Sequence, residues 1–232
     1  MNSYQFYTPK LTFISKIIII ATVAIFLLSS VLELSTGGGL KPFLGLSSYG
    51  FFHGGIHSIL TYPFIGSSLF EVIFDCLLVW FIGCELESLW GRGKYLLLAC
   101  FAVLLSAAVY LAVSLVFPSV AIVHLTGLAG FCNALLVAYA MLYPDRYFSF
   151  FMIFPVKAKW FCLILLGMQL YLGIFSAGAV LAWGHMGGML AGFLFMKWPR
   201  FGSFKGNFSS KPKRKGNLKL VKGDDDTPKY WQ

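Results

Sequence analysis

Six apolar stretches, each long enough to cross a lipid bilayer, constrain this chain more than any other feature of its sequence. A transmembrane helix needs roughly 20 mostly apolar residues, with a range of about 17–25. The mean hydropathy of +0.78 and a charged content of only 12% also lie far from the values of soluble domains. The sequence therefore predicts an all-α, polytopic membrane protein with helices over about 13–33, 68–84, 95–117, 127–143, 160–176 and 177–198.

The basic residues alternate from one side of these stretches to the other. Counted by connecting segment, 17 of the 18 Lys and Arg residues fall in alternate segments, and only Lys41 falls in the others. Cytoplasmic loops of membrane proteins are enriched in Lys and Arg, so both termini are expected in the cytoplasm. The net charge of +9 then reports topology, and no nucleic-acid partner is implied. The segregation fits a bacterial inner membrane best.

Three segments outside the apolar stretches have distinct characters. The connection over 35–67 is long and rich in Gly and aromatic residues, which predicts a half-embedded outer loop packed against the bundle. The aromatic run 147–154 has basic residues on both sides, which favours a short interfacial hairpin over a further crossing. The polar, basic composition of residues 199–232 predicts a disordered cytoplasmic tail that contacts anionic lipids. The membrane domain is therefore assigned to 1–198.

Ionisable side chains inside apolar helices are costly and need an explanation. The sequence has three, namely Glu71, Asp75 and His185, and the first two share a helix face because they are four residues apart. Small residues lie on the same face as His185, and a second small-residue surface occurs in the fourth stretch. Such surfaces favour close helix packing, which would bring His185 near Ala129. The small residues are Gly188 and Gly192 on the last stretch, and Gly127 and Gly130 on the fourth.

Four segments in order resemble motifs of the rhomboid family of intramembrane serine proteases, and the resemblance covers about 56–196. Residues 64–75 (FIGSSLFEVIFD) are similar to the family's His-x4-His-x3-Asn stretch, and residues 83–91 (GCELESLWG) to its Gly-x3-Glu-x3-Gly turn. Residues 127–130 (GLAG) stand at the Gly-x-Ser-Gly nucleophile motif, and residues 185–192 (HMGGMLAG) resemble its His-x-Gly-Gly-x3-Gly segment. The resemblance implies a six-helix rhomboid-like bundle in which a Ser–His pair would cleave transmembrane substrates near the outer surface.

The chain departs from the family pattern at the positions that carry catalysis. Ala129 stands in place of the serine, and Gly66, Glu71 and Asp75 stand in place of the two histidines and the asparagine on the oxyanion side. Only His185 of the catalytic set is retained. A carboxylate near a developing oxyanion would repel it. We therefore expect a pseudoprotease, without cofactor or metal, that binds or escorts transmembrane helices of client proteins. Its binding cleft is predicted at Gly127, Gly130, Gly188 and Gly192.

Other functions remain open from the sequence, as does the oligomeric state. An intramembrane peptidase could use Cys132 as an atypical nucleophile, although this residue lies about one helical turn deeper than Ala129. An ion relay through the three ionisable residues would require inverted repeats that the sequence does not show. The same helix arrangement also predicts that Asp75 and His185 form a carboxylate–imidazole pair. A zinc site on the outer face is a weaker alternative, with four loosely spaced residues as ligands: His53, His57, Glu71 and His124.

Overall fold

The computed structural model describes residues 10–36, 39–117, 122–150, 154–176 and 179–198. The chain divides into two units, Met1–Gly202 and Ser203–Gln232. All of the second unit lies outside the described residues, as does the tail predicted over 199–232. Every described residue belongs to the first unit.

The first unit is mostly helical, with one two-stranded sheet. A short 3₁₀ turn, Tyr62–Phe64, follows the helix Ser58–Thr61, and a π-helical turn, Val79–Gly83, joins the helices Leu69–Leu78 and Cys84–Trp90. The elements are α1 (Phe13–Thr36), α2 (Lys41–Leu44), α3 (Ser48–Phe52), α4 (Ser58–Thr61), α5 (Leu69–Leu78), α6 (Cys84–Trp90), α7 (Arg92–Val116), α8 (Ala129–Leu142), β1 (Tyr147–Phe150), β2 (Phe154–Lys157), α9 (Ala158–Phe175) and α10 (Ala179–Lys197).

Each of the six apolar stretches contains a helix, but not every helix meets the length of a bilayer crossing. Among the described residues, three helices are long and apolar enough, over Phe13–Ser35, Arg92–Val116 and Ala158–Phe175. A fourth crossing results if Ser58–Phe64 and Leu69–Trp90, bent by 94°, count as one span. The 14 residues of α8 extend only about 21 Å at 1.5 Å per residue, against a hydrocarbon core of about 30 Å. Length and composition thus support fewer crossings than the six predicted.

The short helix α8 lies at the centre of the bundle. All ten residues from Gly130 to Tyr139 are buried, and α10 packs along both α7 and α8. Leu135 of α8 and Leu98 of α7 belong to the same buried cluster, and neither is exposed. Because its neighbours cover α8 on every side, it does not need the length of a helix that faces lipid.

The long connection between α1 and α5 packs against the bundle, as the sequence predicted. Leu46 and Leu125 exchange two backbone hydrogen bonds, of 3.0 and 2.7 Å, and so join the loop to the segment before α8. Tyr62 is 1% exposed, and its hydroxyl donates to the carbonyl oxygen of Val103 on α7 at 3.0 Å. These contacts fix the entrance of α8 relative to α7.

The aromatic run after α8 forms the predicted hairpin rather than a crossing. Strands β1 and β2 pair antiparallel, with Tyr147 opposite Lys157. Beside the hairpin, Lys159 donates a 2.9 Å hydrogen bond to Asp145. That hydrogen bond, together with the lysine charge, lowers the pKa of the exposed Asp145 carboxyl.

The carboxylate of Glu87 on α6 caps the first turn of α1. It accepts hydrogen bonds from the backbone N–H groups of Ile14 and Ser15, each at 2.9 Å, and from the hydroxyls of Thr12 and Ser15. Ser15 also contacts the hydroxyl of Tyr95 at 3.1 Å. The first N–H groups of a helix have no partner within it, and a negative charge at that end is stabilised by the helix dipole. Glu87, which is 3% exposed, therefore attaches the start of α1 to α6.

Candidate functional site

Glycine contacts set the relative level of α8 and α10. A β-carbon added to Gly188 would overlap the carbonyl oxygen of Gly130, and one added to Gly192 would lie 2.5 Å from the carbonyl oxygen of Ala134. Both contacts advance in the same direction along the two helices, so α8 and α10 run parallel. The backbones of α8 and α10 are therefore in contact at the small-residue surfaces that the sequence predicted to pack together. No space for a ligand remains between the two helices at these positions.

The same contacts place His185 at the level of the first turn of α8. A β-carbon on Gly184 would lie 3.0 Å from Leu125, just before α8, while Gly188 faces Gly130 in its first turn. His185 lies between these two levels, and Ala129 is the first residue of α8. The predicted proximity of these two positions agrees with this register.

Glu71, predicted as an ionisable residue within an apolar helix, takes part in a capping-box arrangement at the start of α5. The hydroxyl of Ser68 accepts from the Glu71 backbone N–H at 3.2 Å, and the Glu71 carboxylate accepts from the Ser67 N–H at 3.0 Å. A Ser followed three residues later by Glu is the sequence signature of this motif. The signature is visible in the sequence and would have explained Glu71 without reference to function.

Asp75 binds the backbone at the start of α8. Its carboxylate accepts from the Leu128 N–H at 3.2 Å, and the residue is only 4% exposed. Gly127, with φ of +88°, brings the backbone against the Glu71 carboxylate, where a β-carbon would overlap Oε1. Helix N-termini present free N–H groups that attract anions. The group that occupies this N-terminus is the side-chain carboxyl of Asp75 itself.

Gly66, at the first histidine position of the resemblance, has no room for a side chain. A β-carbon there would overlap the side chain of Val72 and lie 3.1 Å from Phe26 of α1. The residue is buried. A histidine could occupy this position only if α1 or α5 moved away.

The predicted Asp75–His185 pair does not form. Asp75 bonds to Leu128, whereas His185 Nδ1 lies 3.4 Å from Nε2 of Gln169 on α9. No ion pair between the two is present in the described part of the chain. The backbone of α8 supplies the partner that Asp75 needs, so the carboxylate requires no imidazole.

Gln169 is a site residue that the sequence reasoning missed. It is a polar residue in an otherwise apolar helix, 9% exposed, and within the described residues its Oε1 has no hydrogen-bond partner. The sequence reasoning considered only ionisable groups within the apolar stretches, and an uncharged amide is not one of them. The signal was available, because polar side chains inside transmembrane helices usually bond across helices.

The alternative nucleophile and two of the four alternative metal ligands form hydrogen bonds to the backbone. Cys132 is 1% exposed, and its thiol donates to the backbone oxygen of Asp75 at 3.7 Å. The rings of His53 and His57 each donate to a backbone carbonyl at 2.8 Å. Within the described ranges, no group of three or more His, Cys, Asp or Glu side chains is arranged to hold a metal ion.

The family comparison covers most of the chain. Residues 16–211 match the family described as "Eukaryotic integral membrane protein (DUF1751)". The chain belongs to this family. No curated protein matches the chain. The DUF1751 description agrees with the membrane protein predicted from the sequence and names no activity. The bacterial inner membrane that charge segregation favoured does not fit a family described as eukaryotic.

Proposed function

We propose that this DUF1751 protein is a rhomboid-like pseudoprotease that binds or escorts the transmembrane helices of client proteins without cutting them. The proposal is supported by the residues found at the positions that match the rhomboid catalytic site. Ala129 has no oxygen with which to attack a peptide bond, and the Leu128 N–H already bonds to Asp75. A peptide bond at the start of α8 would meet no nucleophile, and the Leu128 N–H would not be free to stabilise a tetrahedral intermediate.

The proposed topology has six membrane-inserted helices with both termini in the cytoplasm. The alternation of basic residues supports this orientation, and the central position of α8 explains how a 14-residue helix could serve as one of the six. In this orientation the loop between α1 and α5 lies on the outer face. The basic tail would rest on anionic headgroups at the cytoplasmic face.

The client is proposed to bind beside the α8–α10 contact rather than within it. Gly130, Gly188 and Gly192 are covered by facing backbone, so these predicted cleft residues bring the helices together and do not themselves contact the client. Ala129 is partly exposed and marks the open edge of the site. Large apolar side chains on α9, such as Ile164 (62% exposed) and Tyr171 (63% exposed), provide a surface on which an apolar helix can pack.

Site-specific crosslinking in cells tests client binding. A photo-crosslinking amino acid at position 129 is expected to give discrete adducts with other membrane proteins. The matched control is position 104 on α7, where Leu104 is 51% exposed. Equal adduct patterns from both positions, or no adducts from position 129, would contradict the proposal.

A cleavage assay separates the proposal from its alternative, an intramembrane peptidase with an atypical site. The purified protein is incubated in lipid with a panel of transmembrane substrates, and no cleavage product is expected. Cleavage that disappears in Cys132→Ala or His185→Ala would establish the peptidase instead. The burial of Cys132 and its hydrogen bond to Asp75 argue against this outcome.

A further inference from the structure

Two of the hydrogen bonds between described residues of α9 and α10 differ in how completely their partners are satisfied. The indole N–H of Trp183 donates to the carbonyl oxygen of Gly173 at 3.1 Å. One step along the contact, Gln169 and His185 meet at 3.4 Å. The first bond uses the single polar atom of its side chain, whereas Gln169 has a second polar atom, Oε1, that is buried and without a partner in the described structure.

Rotating the Gln169 amide by half a turn still leaves one of its polar groups without a partner. The orientation of a Gln amide is assigned from its hydrogen bonds, and if the group is turned over, its oxygen meets the ring of His185 while its NH₂ is left instead. One imidazole nitrogen can satisfy only one end of the amide. Leaving a buried polar group unpaired is unfavourable, so a partner from outside the chain would be stabilised here.

The pair lies at a defined depth in the proposed topology, and its histidine is partly exposed. Gln169 is six residues before Phe175, the end of α9, and His185 is six residues after Ala179, the start of α10. At 1.5 Å per residue, both lie about 9 Å from the connection between the two helices. His185 is partly exposed although Gln169 is buried. Only two other described residues of α9, Ala158 and Gly173, are buried, so α9 is a peripheral helix.

We propose that the Gln169–His185 pair selects clients by binding an amide or hydroxyl side chain carried within a transmembrane helix. The partner helix places this side chain about six residues from the outer end of its span, level with the pair. An Asn or Gln amide offers both a donor and an acceptor, and so can satisfy whichever end of Gln169 is left over. This inference rests on the proposed function, because it assumes that clients approach the site laterally in the membrane.

Two synthetic transmembrane peptides test the inference with the full-length protein in lipid nanodiscs. Both consist of Leu and Ala with Lys at the ends, and they differ only in Asn or Leu six residues from the outer end. Binding is measured by energy transfer from labelled protein to labelled peptide, with the peptide dilute in lipid so that it does not self-associate. Polar bonds between membrane helices lead us to expect about 3- to 15-fold tighter binding of the Asn peptide. A third peptide, with Asn near the opposite end, should bind like the Leu peptide.

Two variants separate recognition by the pair from simple packing of α9 on α10. Gln169→Leu should abolish the preference for Asn while binding the Leu peptide as the wild type does. Trp183→Phe removes the other hydrogen bond across the same contact and should keep the preference. An equal affinity of the wild type for all three peptides overturns the inference but leaves client binding intact. A preference that survives Gln169→Leu, or is lost equally in Trp183→Phe, also overturns it. If no peptide binds, both the inference and the proposed function fail.

Discussion

Substitution of Glu87 tests whether a single carboxylate holds the first helix in place. Its oxygens accept four hydrogen bonds from the start of α1, two from backbone N–H groups and two from hydroxyls. Glu87→Ala removes every acceptor and leaves the first turn of α1 uncapped. Glu87→Gln keeps one oxygen but turns an NH₂ group toward N–H donors, so it is the milder change.

The expected loss follows from the energies of hydrogen bonds to charged groups. Each contributes about 1.5–3 kcal/mol, and disruption of a buried charged network costs about 3–5 kcal/mol once the remaining groups rearrange. We therefore expect a loss of about 3–5 kcal/mol for Glu87→Ala and about 1–2 kcal/mol for Glu87→Gln. For a chain of this length, 1 kcal/mol corresponds to about 2–4 °C in Tm, so Glu87→Ala should lower Tm by about 6–20 °C.

The assay is thermal unfolding in detergent. Unfolding is monitored by the reaction of buried thiols with a fluorescent maleimide. Cys84 is not exposed and Cys132 is 1% exposed, so both react only on unfolding. Glu85→Gln is the matched control, because Glu85 lies on the same helix with its side chain 32% exposed in an ion pair with Arg146. Surface ion pairs contribute only about 0–1 kcal/mol. If Glu87→Ala shifts Tm no more than Glu85→Gln, the capping argument is refuted.

Three further predictions concern the region around the start of α8. Ala129→Ser should not react with a fluorophosphonate probe, because Gly66, Glu71 and Asp75 replace the side-chain donors of the oxyanion side; labelling above background would contradict this. Gly188→Ala should destabilise the fold by about 1–3 kcal/mol or more through overlap with α8. Gly93→Ala, where a β-carbon meets nothing within 4 Å, should not, and equal Tm values for the two would refute the packing argument. Asp75→Asn keeps an oxygen for the Leu128 N–H and should change Tm little, whereas Asp75→Leu should cost about 1–3 kcal/mol; the reverse order would exclude this hydrogen bond as the main role.

Helix positions could be predicted from the sequence because a bilayer imposes both length and composition on a crossing. The predicted stretch 95–117 and the helix Arg92–Val116 nearly coincide. The stretch predicted over 68–84 continues further in the structure, where α6 ends at Trp90. Polar residues such as Glu85 and Glu87 lowered its apparent hydropathy, although their carboxylates are paired with Arg146 and with α1. Apolar periodicity cannot detect such pairing.

At the candidate site, contacts between small residues were predictable and polar partners were not. The spacing of Gly188 and Gly192 correctly indicated a face that presses on α8. The partner of Asp75 was misassigned to His185, because the sequence shows side chains but not which backbone N–H groups are left without bonds. The Leu128 N–H becomes available only when the chain before α8 is turned by Gly127, and that depends on the tertiary fold.

The π-helical turn Val79–Gly83 lies between α5, which carries Asp75, and α6, which carries Glu87. It determines the relative directions in which these two acidic side chains point. A π turn closes its hydrogen bond one residue later than an α turn, and one residue corresponds to a rotation of about 100° around a helix. The turn therefore sets the phase between the half that carries Asp75 and the half that carries Glu87. Deleting one residue there would leave Asp75 at the start of α8 but rotate Glu87 away from α1. The five-residue turn thus acts as a phase adjuster, through which one helical segment serves two neighbours in different directions.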